Sequence, residues 1–194
     1  NKYIESVWWQ LAQIAELKNN EGESFLYKGH KIVPYCSRCG TALSSHEVAQ
    51  GYKVVKDLSV TAEFELIGES VKTSVLAWTT TPWTLPGNVA LAVNETIDYV
   101  TIEKKDEGVG ETVRFIVAKA LLKNIFGDEG YEIVEEYKGT KLVGRTYRPL
   151  FEYYTNDKTI VNGENGWKIY HADFVTTEKG TGIAHEAPAF GEDD

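Results

Sequence analysis

The chain has no methionine, and of its 194 residues only two are cysteine, four histidine and five proline. Two cysteines cannot make a disulfide framework, so the default setting is reducing and cytoplasmic. No apolar run approaches the roughly 18 residues that would span a bilayer, and no signal peptide opens the chain. These absences argue against a membrane protein and against a secreted disulfide scaffold. Positive charge is scarce too: 20 Lys and Arg against 29 Asp and Glu leave a net charge of −9. A surface that grips duplex nucleic acid by charge would be basic. A site for the single-stranded end of an RNA needs no such face. The missing methionine and the asparagine at position 1 give the expectation of a piece cut from a longer protein.

What is present reads as a globular chain with an appendage. Ile4, Val7, Trp8, Leu11, Ile14 and Ala15 recur at helical spacing, predicting an amphipathic helix over 3–17. Residues 25–33 read as a tight hairpin with Gly29 near its turn, leading into Cys36 and Cys39. Beyond Tyr52 the period changes to two. Val60, Ala62, Phe64 and Leu66 alternate with polar residues as a half-buried strand does, and 74–78 is continuous enough for a central strand. Further strands are expected at 89–93, 99–103, 112–117, 131–135, 141–146, 167–170 and 181–185, with a helix at 118–126. Many short strands with glycine-rich turns imply a mainly β fold with a few helices, a barrel or a sandwich. A boundary near 48–56 divides an N-terminal helix and cysteine hairpin, 1–51, from a β-rich body, 52–194.

Two segments carry chemistry. The first is Trp78-Thr79-Thr80-Thr81-Pro82-Trp83-Thr84-Leu85-Pro86-Gly87-Asn88. Taken alone it is a strand end and turn, since threonine suits strands and Pro82 pushes Thr81 to extended backbone. Taken whole, it is a stiffened loop presenting hydroxyls and backbone N–H groups, which can hold a ribose, an ester carbonyl or a water. The second is Gly180-Thr181-Gly182-Ile183-Ala184-His185-Glu186-Ala187-Pro188, running on to Gly191-Glu192-Asp193-Asp194. Its elements also have plain readings: a turn, a packed histidine, and carboxylates opening a helix. Roughly a hundred residues separate the two segments, so a shared site requires the fold to join them. Cys36-Ser37-Arg38-Cys39-Gly40 looks like half of a zinc knuckle. A tetrahedral site needs four ligands, and the flanking His30 and His46 do not make a standard finger spacing.

The W-T-T-T-P-W-T-L-P-x-N and G-T-G-x-x-H-x-A-P-x-x-G-x-D-D strings resemble the two signatures of the editing (CP1 insertion) domain of isoleucyl-tRNA synthetases, a class I family. The valyl and leucyl relatives carry Thr-Thr-Arg-Pro where this chain has Thr81, and the valyl ones a lysine where it has His185. The resemblance implies an editing β-barrel acting as an aminoacyl-tRNA deacylase. Its substrate would be Val-tRNA(Ile), with valyl adenylate as a further possibility. By that match Thr79, Thr80, Thr81, His185 and Asp194 are the catalytic set. Trp83, Asn88, Thr81, His185 and Asp194 hold the substrate, with Asp194 on its ammonium and His185 in the amino-acid pocket. A held water and a ribose hydroxyl of the substrate would do much of the chemistry. His185 reads as a pocket residue before a proton carrier, although its ordinary pKa suits proton transfer.

The resemblance further implies zinc in the parent protein, with Cys36 and Cys39 as a partial site and a second cysteine pair elsewhere. It implies the tRNA 3′ end and the rest of the synthetase as partners, a monomeric fragment and no membrane. The HIGH and KMSKS elements of the catalytic core are absent, so the chain would not activate isoleucine. The alternative is a non-catalytic zinc-ribbon module that holds a tRNA end. A free-standing deacylase is disfavoured by the missing methionine and by a motif that stops at residue 194.

Overall fold

Alternation in the sequence becomes pairing in the computed structural model, which describes residues 1–29, 31–105, 110–188 and 190–191. The chain divides into two units, Asn1–Tyr52 and Lys53–Asp194.

In the first unit, α1 (Lys2–Glu16) follows the expected helical spacing, yet it buries none of its residues. The expected hairpin over 25–33 does not form strands among the described residues. The hairpin lies later: β1 (Tyr35–Cys36) pairs antiparallel with β2 (Thr41–Ala42), placing Cys36 and Cys39 at its turn. The two arms that flank Gly29 are short, and short ladders are marginal alone. A second helix, α2 (Ser45–Gln50), was not anticipated. A capping box starts it: the Ser44 side chain accepts from the Glu47 N–H, and the Glu47 carboxylate accepts from the Ser44 N–H.

In the second unit the strands are β3 (Val60–Glu65), β4 (Thr73–Thr79), β5 (Ala90–Val93), β6 (Asp98–Lys105), β7 (Thr112–Ala118), β8 (Glu132–Lys138), β9 (Lys168–His171) and β10 (Ala184–Glu186). Five form a sheet in the order β3-β4-β7-β6-β8, and three form another in the order β10-β5-β9. Pairing is antiparallel except between β4 and β7 and between β5 and β9. Phe64, Val75, Tyr99 and Ile116 of the larger sheet share one core with Leu91, Val93 and Ile169 of the smaller. On its other face the larger sheet puts Leu76, Val100, Ile102 and Val117 against Leu122 of α3 (Leu122–Phe126). Both faces of β4 are therefore covered, which explains its continuous apolar run. The mainly β class holds, with the core enclosed by two sheets.

Local differences have local causes. The helix expected at 118–126 is a 3-10 turn at Lys119–Leu121 followed by α3. The strand expected at 141–146 is a 3-10 turn at Gly139–Lys141 followed by isolated bridges from Thr146 and Tyr147. The strand expected at 181–185 starts only at Ala184, because Gly180 and Gly182 both take φ +75 in the preceding turn.

Candidate functional site

The threonine segment begins as the last residues of β4 and turns through a 3-10 stretch, Pro82–Gly87, before β5. Pro82 opens that stretch, where its missing N–H costs nothing. β10 then pairs antiparallel with β5, setting His185 opposite Leu91 and Glu186 opposite Ala90. The two signature segments thus become neighbours. They also meet behind the site. The Gly180 backbone lies so near Trp78 that a Cβ there would stand 3.0 Å from the indole, and one on Gly182 would stand 2.3 Å from the Ala118 Cβ. The Tyr99 hydroxyl donates to the Gly182 carbonyl at 2.7 Å. Burial pushes that phenol up to about 12, so it stays a donor.

The polar contacts form a chain. Thr79 Oγ1 accepts from the Thr81 N–H at 3.0 Å and lies 3.2 Å from Thr81 Oγ1. Thr84 Oγ1 donates to the Thr81 carbonyl at 2.9 Å and lies 2.9 Å from His185 Nε2. His185 Nδ1 lies 2.9 Å from Asn88 Nδ2, which also donates to the Ala90 carbonyl at 2.8 Å. Asn88 Oδ1 accepts from the Tyr147 hydroxyl at 2.7 Å. Thr79 and Asn88 are buried, His185 is half-buried, and Thr80 and Thr81 are exposed.

The structure therefore brings Thr79, Thr81, Asn88 and His185 together. Thr80 faces solvent on the same loop. Trp83 belongs to the 3-10 turn and is 76% exposed. A tight turn leaves its large side chains outside, and the core behind this one is filled by Leu85. Asp194 lies outside the described residues, as do Glu192 and Asp193. Two members of the network were not singled out from sequence. Thr84 sat inside the quoted motif as one hydroxyl among four. Tyr147 gave no local signal, because it arrives from a separate segment.

Chemically, the arrangement offers exposed hydroxyls on a loop whose shape is held by a histidine with both ring nitrogens engaged. That suits binding and orientation better than proton abstraction by His185.

At the other unit, Cys36 is half-buried and Cys39 exposed, both as free thiols. The Cys39 N–H donates to Cys36 Sγ at 3.3 Å. Hydrogen bonding from the Cys39 backbone and thiol, then from the Arg38 backbone, holds the Cys36 thiol below its ordinary range, which suits a metal ligand. Among the described residues no group of three or more His, Cys, Asp or Glu is placed to hold a metal. His46 instead lies 2.8 Å from the Gln50 side chain on α2, and His30 lies outside the described residues. Two thiols fit half of a zinc site. Among the described residues no helix is long and apolar enough to cross a membrane.

No family model matches the chain. Curated relatives do. It is 52% identical over 194 residues to the isoleucine–tRNA ligase of Clostridium tetani (strain Massachusetts / E88), and 53% identical over the same length to that of Clostridium acetobutylicum. The chain belongs to the isoleucine–tRNA ligase family. All of it is covered in both alignments, but it spans only 17% of the length of these ligases. A solved structure of GlLeuRS-CP1 aligns with a TM-score of 0.53 at 19% identity, over 68% of this chain and 55% of that one. At that identity the match concerns the fold alone: the chain shares the fold of that CP1 structure.

Proposed function

We propose that the β-rich unit of this isoleucine–tRNA ligase segment is a hydrolytic editing domain, cleaving the ester between valine and the 3′-terminal adenosine of the isoleucine tRNA. The observation that carries this reading is the hydrogen-bonded union of the threonine loop and the histidine strand.

The need for such a site is physical. A pocket that accepts isoleucine cannot strongly reject valine, because one methylene is worth only about 1–3 kcal/mol, a magnitude for which isoleucyl-tRNA synthetase is itself the usual illustration. A second, smaller pocket admits valine and excludes isoleucine by size. In this reading Thr81, Trp83 and His185 rim that pocket, Asn88 supports it, and the Asp194 carboxylate holds the valine ammonium. Thr79 shapes the loop, while the Thr80 and Thr81 hydroxyls and nearby backbone N–H groups orient the ester and a water. The water oxygen adds to the carbonyl carbon, the ester C–O bond breaks, and the proton passes to the departing ribose oxygen with help from its neighbouring hydroxyl. Valine and free tRNA leave. The tRNA 3′ end, the rest of the synthetase, and zinc shared between Cys36, Cys39 and two further ligands complete the proposal.

The test is a deacylation assay on Val-tRNA(Ile) and Ile-tRNA(Ile), with the parent ligase and its Asp194→Ala variant. Valine should be released in preference to isoleucine. Removing one partner of a desolvated charge pair costs about 2–5 kcal/mol, so Asp194→Ala should slow clearance by tens- to thousands-fold and leave isoleucine activation intact. Clearance at the normal rate would refute the ammonium assignment. Binding of the tRNA end without release of valine would favour a non-catalytic module.

A further inference from the structure

We propose that Tyr147 and Asn88 form a buried positioning pair that fixes the proton of His185 on Nε2, and through it locks the threonine loop. The inference concerns the site of the proposed editing reaction, but the protonation claim does not depend on that reaction.

The direction of each hydrogen bond follows from what each group is able to do. Burial, foremost, pushes the Tyr147 phenol above its ordinary range, so it remains an O–H donor. That donor meets Asn88 Oδ1 at 2.7 Å. On the other side of the amide, the Ala90 carbonyl at 2.8 Å and the Glu186 carbonyl at 3.4 Å accept only. The NH2 must face them, since a flipped amide would set oxygen against oxygen. The same NH2 lies 2.9 Å from His185 Nδ1, which must therefore accept. The ring proton then sits on Nε2 and is donated to Thr84 Oγ1 at 2.9 Å. With its lone pair engaged by His185, the Thr84 hydroxyl is turned to donate to the Thr81 carbonyl. A directed chain runs from the core to the loop: Tyr147, Asn88, His185, Thr84, Thr81.

Asn88 is 5% exposed and Tyr147 1%. The Asn88 amide has partners at both ends, so its part is to orient His185, rather than to touch the substrate as its motif position implied. The backbone around the pair is held as well. Trp167 takes φ 55, an uncommon conformation for a bulky residue. In that conformation its N–H donates to the Val89 carbonyl at 2.6 Å and its carbonyl accepts from the Tyr147 N–H at 3.0 Å. One strained residue thus ties Tyr147 to the residue next to Asn88. Such outliers persist where the surroundings over-determine them. The Tyr147 ring is seated edge-on against Phe64 at 5.2 Å, which keeps its hydroxyl aimed.

The experiment is side-chain 15N NMR of His185 in the labelled 194-residue chain. In the unsubstituted chain Nε2 should carry the proton and Nδ1 should be bare; a proton on Nδ1 overturns the proposal without any variant. Asn88→Asp replaces the donor facing Nδ1 by an acceptor of the same shape, and should place a proton on Nδ1. Tyr147→Phe removes one oxygen; the two carbonyls still turn the NH2 toward Nδ1, so Nε2 should keep the proton, while the loosened amide should move the Nδ1 shift toward that of an unbonded ring nitrogen. Unchanged shifts in Asn88→Asp would overturn the role of Asn88, and unchanged shifts in Tyr147→Phe that of Tyr147. A merely structural role would lower stability in these variants without altering the His185 ring shifts. None of these readouts involves tRNA, so failure of the editing reading and failure of the pair are separate results.

Discussion

The two units of this chain use their aromatic residues in opposite ways. In the first, Tyr3, Trp8, Trp9, Phe25 and Tyr27 are all exposed, and none of its described residues is buried. In the second, Phe64, Tyr99 and Tyr147 lie at or near zero exposure inside a core built from two sheets. The residue types are alike; the difference is whether the unit's own elements supply a second layer. A helical stripe needs a facing surface before its apolar area stabilises anything, and a sheet closed over by another has one. Stability should therefore reside in the second unit, with the first contributing little of its own.

The sharpest test of that contrast is a pair of truncations followed by denaturant unfolding. Phe64→Ala should cost about 3–5 kcal/mol. Trp8→Ala, on a 68% exposed indole, should stay within about 0.5 kcal/mol. Comparable losses at the two positions would mean that the contrast in burial is not a contrast in energy. Next in size is Gly182→Ala. It forces a side chain into positive-φ backbone and into the Ala118 methyl, and should cost about 1–3 kcal/mol, measured by thermal unfolding. Because Gly182 lies in the turn into β10, the variant should also lose valyl deacylation if the proposed editing reaction holds. Full activity at reduced stability would show that the turn serves the core and not the site. The smallest effect expected is metal removal. A chelator should leave unfolding of the second unit unchanged, and cobalt added to this chain should not give the absorption of a four-ligand protein site. One tightly held tetrahedral equivalent would mean that the missing ligands lie within the chain.

Much of this was readable before the structure, and the misses share a cause. Periodicity identified α1, the alternation of β3 and the doubly covered β4, because each runs long enough for its pattern to repeat. Among the shorter patterns, the strands expected at 89–93, 99–103, 112–117, 131–135 and 167–170 form, whereas patterns interrupted by glycine do not. Leu142 and Val143 looked like strand, but Gly139 and the left-handed Gly144 break the ladder around them. α2 was hidden by its length, although Ser44 and Glu47 spelled its capping box. At the site, Thr79, Thr81, Asn88 and His185 were legible as motif members, and the fold gathers them. Tyr147 was not, because a side chain that reaches a site from a distant segment leaves no local spacing to read. Trp83 marks the opposite limit: its place in the motif is clear from the sequence, and its exposure is seen only in the fold.

One consequence of the topology concerns timing. Thr84 and His185 are 101 positions apart, and β5, which carries Asn88 into place, is flanked in its sheet by β9 and β10. Both follow β5 in chain order. Until they arrive, β5 has neither neighbour, and the threonine loop has no histidine to hold it. Contacts of such sequence separation are slow to form and are made late. The held form of the threonine loop would then be gained in one late step, when β9 and β10 dock on either side of β5.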